Sequence, residues 1–234
     1  MELSKRLQAV ADLVSADEIV ADIGTDHGYI PIYLVQSGKC SKVFAMDINE
    51  GPYLRAKQHV AGYGLSEQVI TRQSDGMKAL ESGEASAIII AGMGGGLVIK
   101  ILEQDRRLWS ELNELILQPQ SELDKVRTYL IENNWKVIEE KMVFEDGKYY
   151  PMMRVTKGQD VPYSRAELEY GRYLLQEKDS ILAQFIKREI TLKEDVIRSL
   201  EGKNGIHIET RIAELKEELE IAYEVQGTYR KNGK

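Results

Sequence analysis

Four short stretches set acids and glycines at intervals along the first half of the chain: VADIGTDHGYIP from Val20, AMDIN ending at Asn49, SDG around Asp75, and AGMGGG ending at Gly96. Each closes an expected strand. In an open α/β sheet, ligands bind beyond the carboxyl ends of the strands, so the four stretches would face one crevice. Gly24 and Gly28 would let the backbone approach a ligand without a Cβ in the way. Asp22 can orient its loop or accept from a ligand ammonium, Asp47 can accept both hydroxyls of a ribose, and Asp75 can bind the exocyclic amine of an adenine. The glycines of AGMGGG would give a floor for a flat substrate. Any one of these residues alone is an ordinary turn glycine, helix cap or solvated acid; their recurrence at four successive strand ends reads as a nucleoside site.

The first loop narrows the choice of nucleoside. A dinucleotide fold wants G-x-G-x-x-G, with a helix N-terminus facing a pyrophosphate. Here the loop reads Gly24-Thr25-Asp26-His27-Gly28, and Asp26 stands where the second glycine belongs. A carboxylate there repels pyrophosphate and suits a cofactor bearing a cation, as S-adenosylmethionine does at its sulfonium and ammonium. A nicotinamide oxidoreductase is disfavoured for the same reason.

The elements that would hold these groups follow from periodicity. Strands are expected at Glu18 to Ile23, Lys42 to Ile48, Val69 to Ser74, Ser86 to Ala91 and Glu114 to Gln118. Helices are expected from about Ile30 to Ser37, Pro52 to Gly62, Gly95 to Gln104 and Ser121 to Asn133, the alternation of parallel βαβ units. The run from Trp135 to Lys157 carries two extended segments joined at EDGK, a hairpin signal. The expectation is an α/β, Rossmann-like, seven-stranded doubly wound sheet, parallel with a C-terminal antiparallel hairpin. The N-terminus reads as an amphipathic helix with Leu3, Leu7, Val10 and Leu13 or Val14 on one side. Beyond Ser164 strand signals end. Two helical segments flank EGKNG, one striped with Leu182, Ile186, Ile190, Lys193, Ile197 and Leu200, the other with Ile208, Ile212, Leu215, Leu219 and Ala222. They predict a coiled-coil-like helical hairpin whose seam is partly wet at Lys193. The expected domains are 1–159 and 160–234.

Bulk composition sets limits. Net charge is −7, from 31 basic and 38 acidic residues, which argues mildly against a nucleic-acid partner but leaves room for local patches. One cysteine, Cys40, excludes an internal disulfide and a cysteine zinc cluster. His59 and His207 lack recognisable ligand partners, so no metal is expected. No stretch is long and apolar enough to span a bilayer, and no signal peptide is visible. A cytoplasmic location follows, with a monomer compatible and the oligomeric state open.

In this order and with a helical C-terminal appendage, DIGTDHGYIP, AMDIN, SDG and AGMGG resemble the bacterial tRNA (adenine-22-N1)-methyltransferase family. The resemblance covers the whole chain, and the first and last motifs are quite specific. More coarsely the chain is similar to class I methyltransferases, from which it departs at Asp26 and His27. The resemblance implies methyl transfer from S-adenosylmethionine to N1 of an adenine in the D-arm region of tRNA. It implies that Asp22, Gly24, Thr25, Asp26, His27 and Gly28 line the methionine part of the cofactor. Asp47, Ile48 and Asn49 would hold the ribose, Asp75 and Gly76 the adenine, and Gly92, Met93, Gly94 and Gly95 the boundary with the target base.

Adenine N1 carries an in-plane lone pair and needs no deprotonation, so alignment in a dry pocket would suffice. The expected catalytic set is Asp26, stabilising charge that develops on the base, with Met93 packing on the base and Tyr29 stacking on it or capping the cofactor. His27 is expected to orient by hydrogen bonding. GMGG lacks the Asn/Asp-Pro-Pro-aromatic tetrad that grips an exocyclic amine, which fits a ring-nitrogen target. Cations available to RNA phosphates are Lys5, Arg6, Arg55, Lys57, Lys187, Arg188, Lys193, Arg198 and Lys203, each equally explicable as a solvated helix face. The alternatives are a class I methyltransferase acting on a small molecule or protein, and a non-catalytic interaction protein.

Overall fold

The structure, a computed structural model, describes residues 1–203 and 205–230. Asn204 of the EGKNG turn, the side chain of Arg230 and residues 231–234 of the expected helical domain lie outside the described residues. Contacts divide the chain into two compact units, one of Met1–Pro162 and one beginning at Tyr163.

The first unit is built on seven strands: β1 (Val20–Ile23), β2 (Val43–Asp47), β3 (Val69–Gln73), β4 (Ala87–Met93), β5 (Glu114–Pro119), β6 (Trp135–Glu145) and β7 (Lys148–Lys157). They form one sheet in the order β3-β2-β1-β4-β5-β7-β6. β1 to β5 pair in parallel, and β7 runs antiparallel to both β5 and β6. β1 and β2 are buried at every residue, the pattern of strands covered on both faces. Helices α1 (Lys5–Leu13), α2 (Tyr29–Gln36), α3 (Glu50–Gly62), α4 (Gly95–Gln104) and α5 (Leu123–Glu132) supply the cover. The β6–β7 hairpin turns on Asp146 and Gly147 at φ 49° and 75°, the two left-handed residues that an Asp-Gly turn provides.

Two features position the site. The chain runs outward from β1 to β3 and then returns to place β4 on the other flank of β1, so strand order reverses between β1 and β4. That reversal opens a crevice above their carboxyl ends. The fourth strand also runs past the expected end at Ala91 to Met93, with a register shift centred on Gly92 at φ 80°. A bulge of this kind re-aims the strand end at a site.

The second unit holds α6 (Arg165–Tyr170), α7 (Arg172–Gln176), α8 (Ser180–Leu200) and α9 (Ile206–Arg230). The two short helices escaped the sequence reading, although α6 starts at a capping box between Ser164 and Glu167. α8 and α9 pack along their stripes, burying Leu182, Ile186, Ile190 and Ile197 against Leu215, Leu219 and Ala222. Lys193 corrects the expectation of a wet seam. Its side chain is 13% exposed and its ammonium bonds Glu189 at 2.9 Å and Glu218, across the seam, at 2.8 Å. No described helix is long and apolar enough to cross a membrane.

Candidate active site

The ends of β1 to β4 converge on two adjoining cavities of about 320 and 370 Å3 that share Gly24, Ala91 and Gly92. The first contains Asp22, Thr25, Asp26, His27 and Tyr29. The second contains Asp47, Ile48, Asn49, Asp75, Gly76 and Met93. Of the expected site residues, Gly28, Gly94 and Gly95 line neither cavity; Gly28 and Gly94 serve as the N-caps of α2 and α4.

The first loop leaves β1 at Gly24, φ 78°, and its amides at Gly24 and Thr25 both donate to the Met46 carbonyl on β2, at 2.7 and 2.9 Å. A Cβ on Gly24 would collide with the Met93 methyl, so glycine is required there for packing as well as for conformation. His27 and Gly28 are both left-handed, at φ 63° and 69°. The His27 ring stacks on Tyr29, with centroids 5.2 Å apart and planes 5° apart, and His59 adds a third ring 5.7 Å from Tyr29.

The acids divide sharply. Asp22 is 5% exposed, and burial pushes its carboxyl up to about 6. The Thr25 hydroxyl and Arg6 work against that rise, while Asp47 adds to it. Asp26 stands at the rim, its side chain 63% exposed, in an ion pair with Arg55 at 3.1 Å and 3.5 Å from His27 Nε2. Asp47 is buried at the end of β2, where Oδ1 accepts the Asn49 amide at 2.7 Å. Asn49 caps α3 with its backbone only, so its side-chain amide is not used by the helix. Asp75, on the outer rim, is bonded to Lys78, which holds its carboxyl below the usual carboxylate range.

One buried polar atom of the first cavity, His27 Nδ1, has no hydrogen-bond partner, while the Thr25 hydroxyl is turned to Asp22. The glycine run behaves differently from the expected floor. Only Gly92 faces both cavities; Gly95 is pressed on the loop before α5, where a Cβ would lie 2.5 Å from the Ser121 carbonyl oxygen, and the Gly96 amide donates to Glu122 at 3.0 Å. Those glycines let α4 dock on the neighbouring loop.

Arg6 enters the first cavity from α1 together with Gln120 from the end of β5. Sequence reasoning had weighed Arg6 only as a phosphate contact and had not weighed Gln118 or Gln120. The usable signal was LQPQ: an amide inside an apolar strand needs a partner. Gln118 is fully buried and accepts from Arg6. Among the described residues no group of three His, Cys, Asp or Glu could hold a metal ion.

Residues 3–153 match the model of a methyltransferase domain. The curated tRNA (adenine(22)-N(1))-methyltransferase of Bacillus subtilis (strain 168) is 33% identical over 231 residues, 96% of this chain and 97% of that one. The chain belongs to the tRNA (adenine(22)-N(1))-methyltransferase family. Two solved structures agree over the whole length. Streptococcus pneumoniae Sp1610 in complex with S-adenosyl-L-methionine has a TM-score of 0.87 at 31% identity, covering 96% of this chain and 100% of that one. M. capricolum TrmK in complex with S-adenosyl-homocysteine has a TM-score of 0.80 at 27% identity, covering 95% and 100%. The fold is thus that of the Rossmann-like methyltransferases, extended by the helical unit.

Proposed function

We propose that this protein transfers a methyl group from S-adenosylmethionine to N1 of adenine 22 of tRNA. The observation that carries the reading is full-length similarity, through both units, to a protein of that activity. The site's chemistry supports it independently. A buried acid, the threonine hydroxyl beside it and an unpartnered imidazole nitrogen line the first cavity. Acids follow at the ends of β2 and β3, and the two cavities meet over glycines that hold space a Cβ would fill. This donor set fits an amino acid joined to a nucleoside.

When bound, the cofactor supplies an electrophilic methyl group on a sulfonium. The chain's own contribution is binding, orientation and charge. Asp22, Gly24, Thr25 and His27 serve the amino-acid half, with Gly28 capping the helix that carries Tyr29. Asp47, Ile48 and Asn49 serve the ribose, and Asp75 with Gly76 serves the adenine, Asp75 exchanging Lys78 for the ligand. Gly92 and Met93 border the target base, and Tyr29, braced by His27, offers it a stacking face. No general base is required, because the attacking nitrogen carries no proton. Asp26, the candidate for an electrostatic role toward the base, is matched by Arg55 at the rim, whereas Asp22, buried and without an ion pair, belongs to the cofactor's amino-acid half. Of the cations considered for RNA on the helical unit, Lys193 is committed to two glutamates, Arg198 to Asp195, and Arg188 also has a partner, so Lys187 and Lys203 are the stronger candidates.

Methyl transfer from labelled cofactor to tRNA transcripts tests the reading. Label appearing as 1-methyladenosine at position 22, and lost when that adenine is replaced, is the expected result; label found only in small molecules or protein would reject it.

A further inference from the structure

The first loop is gripped from the side by α3. Arg55 Nη2 donates to Asp26 Oδ1 at 3.1 Å, and one helical turn on, His59 Nδ1 bonds the His27 carbonyl at 3.1 Å. Between them Gly28 sits against Ala56 and Val60, close enough that a Cβ on Gly28 would lie 3.5 Å from the Ala56 Cβ. A carbonyl only accepts, so the His59 ring carries its hydrogen on Nδ1. His59 lines neither cavity. Its ring centre stands 5.2 Å from that of His27 and 5.7 Å from that of Tyr29, with the planes 31° and 30° apart.

The bonded carbonyl lies at a sensitive point of the backbone. His27 is left-handed at φ 63°, uncommon for a residue with a side chain. Its carbonyl belongs to the peptide that leads into Gly28, the N-cap of α2, and Tyr29 is the first residue of that helix. The plane of this peptide therefore sets the direction in which Tyr29 leaves the loop. Anchorage of the loop is already provided elsewhere, since the Gly24 and Thr25 amides bond the Met46 carbonyl and Asp26 is paired with Arg55. What His59 adds is one fixed peptide plane and one wall beside Tyr29. A ring that receives a base from solution needs an open side and a fixed side. Tyr29 is 37% exposed, and the His27 and His59 rings back it.

We propose that His59 is a positioning residue for the target base: by holding the His27 carbonyl and backing the Tyr29 ring, it aims the face on which that base stacks. The assignment rests on the methyl-transfer reading, with Tyr29 as the stacking face, and gives α3 a function outside the four strand-end loops. Misplacing the base is costly in methyl transfer, because the rate depends on aligning N1 with the donor methyl. Affinity for the nucleic acid as a whole comes largely from contacts to its backbone. His59 thus governs turnover more than it governs either affinity.

The test uses two variants of the full chain that each keep half of the residue. His59→Phe retains a ring without the donor, and His59→Asn retains a donor in the place of Nδ1 without the ring. Single-turnover methylation at saturating S-adenosylmethionine and tRNA should slow about tenfold in His59→Phe, the worth of one hydrogen bond, and about threefold in His59→Asn, which keeps that bond. The tRNA concentration giving half-maximal rate, and the affinity for S-adenosyl-homocysteine by calorimetry, should change no more than about twofold in either variant. A tRNA transcript carrying 2-aminopurine at position 22 supplies a readout without chemistry: wild type should quench its fluorescence by stacking, and His59→Phe should quench it less. The assignment is overturned if His59→Phe turns over and quenches like wild type. It is equally overturned if affinity for S-adenosyl-homocysteine falls in step with the rate, which would make His59 a support of the cofactor loop. Wild-type protein that methylates no tRNA would overturn the methyl-transfer reading itself, and this assignment with it, whereas failure of the assignment alone leaves wild-type methylation intact.

Discussion

The cleft of the first unit and the helical unit bury polar groups on opposite terms. In the helical unit buried charge is matched: Lys193 sits between Glu189 and Glu218, Arg172 bonds Glu167 at 2.8 Å, and the Tyr170 hydroxyl donates to Glu189 at 2.7 Å. In the cleft, Asp22 has no ion pair, and His27 Nδ1 has no hydrogen-bond partner. An unpartnered buried polar group costs on the order of 1–3 kcal/mol. In the cleft such a group borders a cavity where a ligand can complete it, whereas Asp105 Oδ2, Trp135 Nε1 and Arg154 Nε are unpartnered away from either cavity.

The contrast can be broken at four places. Gly24→Val puts a branched side chain into the Met93 methyl at φ 78°; cofactor affinity measured by calorimetry should fall by more than about 100-fold while circular dichroism stays native. Asp22→Asn should cost about 30-fold in cofactor affinity while stabilising the free protein. The sign follows from the raised carboxyl: a group titrating near 6 when folded, against an ordinary value of 3.8, contributes stability that is full below about pH 4 and lost as pH rises through 6. By pH 7 the loss is on the order of 3 kcal/mol, so thermal melts of Asp22→Asn should exceed wild type at pH 7 and converge with it at pH 4. A variant melting below wild type at pH 7 would show that Asp22 is structural after all.

Lys193→Ala inverts the experiment in the helical unit. It strands two carboxylates and should lower stability by about 2 kcal/mol, read by urea unfolding, with cofactor affinity unchanged within about twofold because the residue lies outside the cleft. Loss of cofactor affinity there would erase the distinction between the two regions. The smallest effect is expected at Asp75→Ala, about threefold in affinity, because that acid is exposed and already paired with Lys78.

The acids at strand ends were legible because a parallel strand, buried on both faces, writes itself as an apolar run and its first polar residue must emerge at the carboxyl edge. Asp22 and Asp47 follow from that rule, Asp75 from the SDG turn after β3, the hairpin from its Asp146-Gly147 turn and α8 and α9 from their apolar stripes. Asp26 was legible as an acid, but its pairing with Arg55 from α3 was not, since the partners are brought together only by the crossover between β1 and β2.

The one-dimensional chain therefore determined the sheet, its order of polar strand ends and the class of ligand, since burial periodicity and backbone freedom are local properties. The tertiary structure alone decided which acid is buried and which is neutralised, which glycines face the cavity and which face a neighbouring loop, and that Arg6 on the first helix reaches the crevice. Those outcomes depend on distances between segments far apart in sequence, and electrostatic and packing energies are functions of those distances.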